Sequence, residues 1–406
     1  MKKPKVTFFC IYAQNYFDRI NGFIGGAEKQ AIMMAKFLSE NQRFSVSLMV
    51  ADPGRNLRRS SFPHGIEYEF HPSFKIDGTR IRVSPKQGLF AKVFDKARIA
   101  MGLPIRNAKN EDQKRIEKPY IKSDASLWVC VSLSDPNFEL AFYCFKYNKP
   151  FIVVVAANID FDFIEIPLGK DMYDADRSKK RQILNWASAI VVQNQYQLGL
   201  VEEYFPQLPR FYLPNPINLF PILAQTQKKT NQILWVGRFD KNKDPISLCK
   251  LAKKLPEAHF LAICNPSDPD LELEFHEFSP VNVELIQFVP AEKMRFYFSQ
   301  CILHISTSKM EGFPNTFLEA AAESTPTFSL NVDPNSLMSS ETLGLLFSGD
   351  LEQMATTIKE YLGNPGQLLE MGKRARTYVE KVHDSEVVSR EWLHIVEQVL
   401  ELQCAE

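Results

Sequence analysis

Apolar residues recur along this chain in short runs, separated by longer stretches with helical spacing, and that alternation predicts the architecture. In the first half the runs that read as strands are Val6–Tyr12, Ser45–Val50, Ser126–Val131, Phe151–Ala156 and Ala189–Val192. In the second half they are Ile233–Val236, His259–Cys264, Val283–Ile286, Ile302–Ile305 and Thr327–Leu330. Short apolar strands alternating with helical stretches imply parallel sheets flanked by helices, and two such series imply two α/β domains. The polar stretch Thr226 to Thr230 reads as a linker. A last helix, Ser385 to Leu402, carries Trp392 and Ile395 on an apolar face. At 406 residues the chain can bury two substantial cores, and it has no internal repeat or low-complexity segment.

Chemistry concentrates where the fourth strand of the second series ends. The run Cys301 to Ile305 leads into a polar hinge, Ser306-Thr307-Ser308, and then Lys309-Met310-Glu311-Gly312-Phe313-Pro314-Asn315-Thr316-Phe317-Leu318-Glu319-Ala320. Gly312 allows a tight turn, Pro314 suits the first helical position, and the residues after it continue a helix. A helix start presents free N–H groups and partial positive charge, which suits a phosphate or a polar sugar. Glu311 precedes that start and Glu319 lies about two turns on, so the two carboxylates can be about 10 Å apart and reach opposite ends of one elongated, hydroxyl-rich ligand. Carboxylates accept hydrogen bonds from hydroxyls. By spacing alone, Glu311 as a helix-start acid with Glu319 as a solvated surface residue fits as well as a pair that grips a ligand.

Two further segments carry charge or glycine at useful places. Gln232 to Val236 reads as a buried strand, followed by Gly237-Arg238-Phe239-Asp240-Lys241-Asn242-Lys243-Asp244 and a helix from Pro245 to Lys254. Arg offers a planar fork and Lys a compact charge, the pair suited to a leaving diphosphate, although an exposed basic turn has the same composition. Near the N-terminus, Gly22-Phe23-Ile24-Gly25-Gly26-Ala27-Glu28 stands between the first strand and a helix of good formers, the opening unit of a doubly wound fold.

The segment Glu311 to Ala320 resembles the Glu-x7-Glu signature of retaining glycosyltransferases of the GT-B fold, family 4, the glycosyl transferases group 1. The Gly237–Lys243 loop resembles that family's Gly-Arg-x4-Lys phosphate clamp, and Gly25-Gly26-Ala27-Glu28 its N-terminal glycine loop. The resemblance implies two Rossmann-like doubly wound domains facing across a cleft, an acceptor-binding domain over 1–218 and a nucleotide-sugar domain over 219–384. The segment 385–406 would form a helix packing back on the first domain, and Pro214-Asn215-Pro216-Ile217 resembles the family's segment that ends that domain. The resemblance further implies that Arg238 and Lys243 hold the donor diphosphate, Glu311 the donor sugar and Glu319 the ribose. Gly25, Gly26, Gly312, Phe313, Pro314, Asn315 and Thr316 would line the donor, and Val289, between Phe288 and Pro290, would meet the base through its backbone. No metal or other cofactor is implied, the nucleotide-sugar being a substrate, with a UDP-sugar as first choice and a GDP-sugar second.

Departures from the family pattern fall in the first domain. Many members carry His in a segment that here reads Ser134-Asp135-Pro136-Asn137, and again after the next strand, where this chain has Ala157-Asn158-Ile159-Asp160. Ser134, Asp135, Asn158 and Asp160 are therefore the acceptor-side candidates. The turn after the strand at 259–264, often glycine-rich, is Cys264-Asn265-Pro266-Ser267. A GT-B nucleotide-sugar epimerase and a non-catalytic nucleotide-sugar binder are the alternatives to transfer onto a glycan or lipid-linked acceptor, as in surface polysaccharide or glycoconjugate synthesis.

Composition narrows the compartment and the partners. Lys plus Arg and Asp plus Glu both number 48, so no net charge argues for nucleic acid. Seven scattered cysteines without a C-x-x-C pair fit a reducing, cytoplasmic setting and no structural zinc. No apolar run approaches the roughly 20 residues of a membrane span. Residues 80–122 hold 12 Lys/Arg against 4 Asp/Glu, with Leu89, Phe90, Val93, Phe94 and Ala97 at helical spacing. That segment reads either as a core-facing helix with a solvated basic face or as a peripheral contact with an anionic membrane.

Overall fold

Strand β1 (Lys5–Phe9) is buried along almost its whole length because it lies between two parallel neighbours, β2 (Ser45–Asp52) and β5 (Leu127–Val131). The computed structural model describes residues 3–11, 13, 26–52, 66–77, 80–83, 110–171, 175–222, 228–265 and 268–404. They divide into two units, Met1–Leu213 with Ser389–Glu406, and Pro214–Val388. The boundary expected at 218 falls inside the second unit. The glycine-loop residue Gly25 and the 84–109 part of the basic segment lie outside the described residues.

The first unit is an eight-stranded sheet in the order β4-β3-β2-β1-β5-β6-β7-β8. Strands β3 (Glu67–Asp77), β6 (Phe151–Val154), β7 (Ala189–Val192) and β8 (Arg210–Tyr212) join the parallel set, and β4 (Arg80–Val83) adds an antiparallel edge. Helices α1 (Gly26–Glu40), α2 (Asn110–Ser123), α3 (Asp135–Lys146), α4 (Arg177–Trp186) and α5 (Gln195–Tyr204) follow the strands. Apolar runs alone miss β3, β4 and β8: β3 alternates polar with apolar residues and includes Pro72, and β8 is three residues long.

The second unit repeats the plan. Its sheet runs β11-β10-β9-β12-β13-β14, all parallel, from β9 (Lys229–Arg238), β10 (His259–Asn265), β11 (Val283–Ile286), β12 (Cys301–Ser306), β13 (Thr327–Ser329) and β14 (Gly344–Leu346). Helices α6 (Pro245–Lys254), α7 (Pro269–Phe278), α8 (Ala291–Gln300), α9 (Asn315–Ala322), α10 (Leu351–Gly363) and α11 (Pro365–Val382) cover it. The expected linker is partly strand, since Lys229 and Thr230 open β9. Lys228 is held, its ammonium donating to the carbonyls of Phe298, Ser299 and Cys301 and to the Thr325 hydroxyl, so it caps the end of α8. The last helix, α12 (Ser385–Cys404), enters the first unit with Trp392. That ring is fully buried, tilts against Phe8 and donates its indole N–H to the Met34 carbonyl at 3.2 Å.

Three histidines, His71, His304 and His383, lie in these cores, where burial disfavours their charged form. His304 on β12 pairs Nδ1 with the Thr327 hydroxyl at 3.0 Å, and its Nε2 is buried without a partner. His383 donates from Nδ1 to the Asn215 carbonyl at 2.8 Å and packs on Phe313 and Tyr378, again with Nε2 unpartnered. Burial lowers His71 to about 4, His304 to about 3 and His383 to about 4. An unfolded His titrates near 6.5, so below that pH the unfolded chain binds protons that the native one refuses. Stability therefore falls as pH drops from about 6.5 towards the folded values, by about 2 kcal/mol per histidine at pH 5. Thermal melts are expected to show a lower transition temperature at pH 5 than at pH 7, and a smaller pH dependence in His304→Gln.

Candidate functional site

The second sheet reverses direction between β9 and β12. From β9 the chain builds outward through β10 and β11, then returns to the other side of β9 to lay down β12, β13 and β14. Parallel pairing sets Ile233 beside Leu303, Leu234 beside His304 and Trp235 beside Ile305, so the carboxyl ends of the two strands emerge side by side. Open α/β sheets take their ligands outside the carboxyl ends at such a reversal.

Strand β9 ends on Gly237 and Arg238. A Cβ at Gly237 would come within 2.5 Å of the Trp235 ring two residues back, on the same strand face, so a side chain there has no room. That ring is buried and donates its indole N–H to the Thr307 hydroxyl at 2.9 Å. The Thr307 hydroxyl in turn sits 2.7 and 2.9 Å from the carbonyl oxygens of Lys243 and Asp244. Ser306-Thr307-Ser308 is thus no hinge: all three residues are buried, and Thr307 ties the two loops together.

The basic loop has its own internal frame. Asp240 accepts from the backbone N–H groups of Asn242 (3.0 Å) and Lys243 (2.9 Å) through one oxygen, while its other oxygen is 2.9 Å from the Arg238 guanidinium. Asp244, at φ 50°, caps α6 by accepting from the N–H and hydroxyl of Ser247. Asn242 is the cross-tie. Its Oδ1 accepts from Met310 N–H at 3.0 Å, its Nδ2 donates to the Met310 carbonyl at 2.8 Å, and its backbone carbonyl accepts from Lys309 N–H at 2.8 Å.

This register brings Lys243 to Glu311, with Nζ 2.5 Å from Oε1 and side chains only 20 % and 18 % exposed. Phe313 and Phe317 anchor the following turn in a core with Leu318, Ala321 and Val379. Asn215 donates to the Phe313 carbonyl at 3.2 Å and reaches the Asn315 side-chain oxygen at 3.4 Å. Pro314 is the residue before α9, not its first helical residue; Asn315 and Thr316 open the helix. Glu319 is half-buried on α9. Val289 packs its side chain into a core with Leu234, Ile263 and Phe298, between exposed Phe288 and Pro290 at the start of α8.

Of the residues singled out in the sequence, Arg238, Lys243, Glu311 and the turn Gly312 to Thr316 meet at the carboxyl end of the sheet's central strands, joined by Asn242, Asp240 and Thr307. The partners of Asn242 lie 68 positions away, so nothing in the sequence flags that residue.

In the first unit the candidates sit at the carboxyl ends of β5 and β6, and three of the four have side chains bonded within the fold. The Asp160 carboxylate accepts from the Ser132 hydroxyl (2.9 Å) and from the N–H groups of Leu133 (3.0 Å), Ala156 (2.9 Å) and Ala157 (3.3 Å). These bonds hold Ser132 in a left-handed conformation, φ 71°. Asp135 accepts from Asp176 N–H and pairs with Lys179 at 2.9 Å. Asn158 uses its side-chain oxygen to accept from Asn194 and Gln197. Ser134 precedes α3, and its hydroxyl makes no capping bond. Behind them, Lys180 is buried against Asp162, Asp171 and the Ile159 carbonyl, which fixes the loop after β6.

Residues 223–378, within the second unit, match the family described as glycosyl transferases group 1. No curated protein sequence matches the chain. Among solved structures, sucrose-phosphate synthase from Thermosynechococcus elongatus is similar over 98 % of this chain and 100 % of its own, with TM-score 0.74 and 15 % identity. Anabaena HepE, solved with UDP-glucose, covers 97 % of this chain and 99 % of its own at TM-score 0.65 and 14 % identity. The pneumococcal O-GlcNAc transferase GtfA, solved with UDP and GlcNAc, covers 98 % and 100 % at TM-score 0.63 and 13 % identity. The shared architecture is the GT-B fold.

Two substitutions report on this frame. Gly237→Ala is expected to lower stability by about 1–3 kcal/mol by overpacking the Trp235 ring. Asn242→Ala leaves the Met310 amide and carbonyl without their partner and is expected to lose about 1–3 kcal/mol. Denaturant unfolding of both variants against the wild type checks these values.

Proposed function

We propose that this protein is a retaining, metal-independent glycosyltransferase that moves a sugar from a nucleoside diphosphate donor, a UDP-sugar in the first instance, to a glycan or lipid-linked acceptor. The observation that carries the reading is the convergence of Arg238, Lys243 and Glu311 at the strand reversal of a glycosyl transferases group 1 domain. Two similar folds were solved with UDP or a UDP-sugar, which favours uridine over the other bases.

In this reading Arg238 and Lys243 take the donor diphosphate. Fixed cations are worth most where charge grows, here on the phosphate oxygen as the bond to the anomeric carbon breaks. The N–H groups at the start of α9 add partial positive charge on the same side. Glu311 accepts from hydroxyls of the donor sugar and Glu319 from the ribose, both acting as acceptors only. The backbone at Val289 meets the base. The acceptor hydroxyl oxygen bonds to the anomeric carbon on the face the diphosphate leaves, and its proton passes to the departing phosphate oxygen, so configuration is retained without an enzymic nucleophile.

Acceptor recognition belongs to the first unit. With Asp160 and Asp135 bonded internally and the Asn158 oxygen taken by Asn194 and Gln197, the Ser134 hydroxyl and the Asn158 amide N–H are the groups best suited to a sugar hydroxyl, in place of histidine. The basic sequence around residues 80–122 is the segment through which the protein would reach an anionic membrane surface and work on its cytoplasmic side. Synthesis of a surface polysaccharide or glycoconjugate is the setting that fits these parts.

Thermal unfolding with UDP, GDP, ADP and their sugars, in EDTA throughout, tests the donor reading. Saturation at about 100 times Kd adds roughly 2.7 kcal/mol of stability. An upward shift with one nucleotide series, lost in Arg238→Ala, is expected. Once an acceptor is in hand, the same variant is expected to lose about 10²–10³ in kcat; near-normal turnover removes Arg238 from the chemistry.

A further inference from the structure

We propose that Glu311 sets the preference of the donor site for the sugar-bearing nucleotide over the bare nucleoside diphosphate, through its ion pair with Lys243. The inference rests on the donor-site reading above and concerns the energetic role of one carboxylate within it.

The pair is close and largely shielded: Nζ to Oε1 is 2.5 Å, and about four-fifths of each side chain is covered. Among the described residues, Lys243 is the one side chain bonded to the Glu311 carboxylate, and Glu311 the one bonded to the Lys243 ammonium. Arg238, the other cation of the loop, is engaged by Asp240. The loops cannot separate cheaply to relax the pair. Asn242 binds both backbone groups of Met310, next to Glu311, and Thr307 reaches the carbonyls of Lys243 and Asp244.

A diphosphate that recruits Lys243 therefore draws charge from Glu311 at fixed geometry. The carboxylate is left shielded from water, without its cation and beside a new anion, an arrangement that is costly for a charged acceptor. A donor sugar cancels that cost because its hydroxyls donate to the carboxylate as the ammonium turns away. A bare nucleoside diphosphate brings no such donors. Lys243 thus returns to Glu311 as the product leaves, and the site discriminates by what it does to the acid rather than by contacts to the phosphates.

Titration calorimetry of the wild type, Glu311→Gln and Lys243→Met with UDP and UDP-glucose, and with GDP and GDP-mannose, tests this. Gln keeps the shape and removes the charge, so Glu311→Gln is expected to bind the nucleoside diphosphate about tenfold more tightly than the wild type. Its affinity for the nucleotide-sugar is expected to rise less or to fall, and Lys243→Met is expected to weaken both ligands. Glu311→Ala, which also removes the charge, serves where the Gln variant does not fold. Unchanged or weaker diphosphate binding in the folded charge-removed variant, with the wild type binding normally, overturns the proposed role of Glu311. No binding of either diphosphate by the wild type overturns the donor-site reading itself, and the inference with it.

Discussion

The parallel pairing of β9 with β12 is the constraint on which the site depends. The sheet sets Trp235 beside Ile305, and just past the end of β12 the bond from the Trp235 indole to the Thr307 hydroxyl, 72 positions on, closes the two strand ends. Backbone ladders end with the strands, and beyond them the register is continued by side chains. Thr307 accepts from Trp235 and reaches back to Lys243 and Asp244; Asn242 imitates a further rung of sheet by meeting both polar groups of Met310. The effect is to extend strand-like precision into two loops, where functional side chains otherwise lose it. Gly237 belongs to the same device, because the Trp235 ring that anchors Thr307 occupies the space of its missing side chain.

Much of this was legible because the decisive signals are local. Helix α6 follows from Pro245 and its apolar spacing with no tertiary information, and its first residue and last residue are those the pattern predicts. The glutamates and the basic loop stand out because ten contiguous residues, and one glycine turn with two cations, resemble a family pattern within a single stretch each. The parts that were not legible share a physical cause. Asn242 and Thr307 act on partners more than sixty positions away, and a lone Asn or Thr in a polar loop carries no mark of that. Lys228 looks like linker because it is polar and follows Thr226-Gln227, while its ammonium is buried under four oxygen acceptors. Strand β14 is three residues long, and Gly344 is there because a Cβ would meet the Thr327 carbonyl at 1.5 Å.

The acids of the two units are put to different uses, and the difference is electrostatic. At the strand ends of the first unit the carboxylates are tied to the fold: Asp160 to three backbone N–H groups and a hydroxyl, Asp135 to the Asp176 N–H, and Asp162 to Arg177 and to a buried Lys180 that is itself held by Asp171. Removing such an acid leaves buried donors unpaired, so these residues hold shape. In the second unit Asp240 and Asp244 do the same work for the basic loop. Glu311 is the exception, since its partner is a flexible ammonium that bonds no other side chain among the described residues, and not a backbone N–H. A lysine can re-aim three donors on a four-carbon stem at little steric cost, whereas a backbone amide cannot. Of the acids at these strand ends, Glu311 is therefore the one whose pairing can be exchanged without unravelling the fold, and an exchangeable charge is what a site needs when its ligand must both arrive and leave.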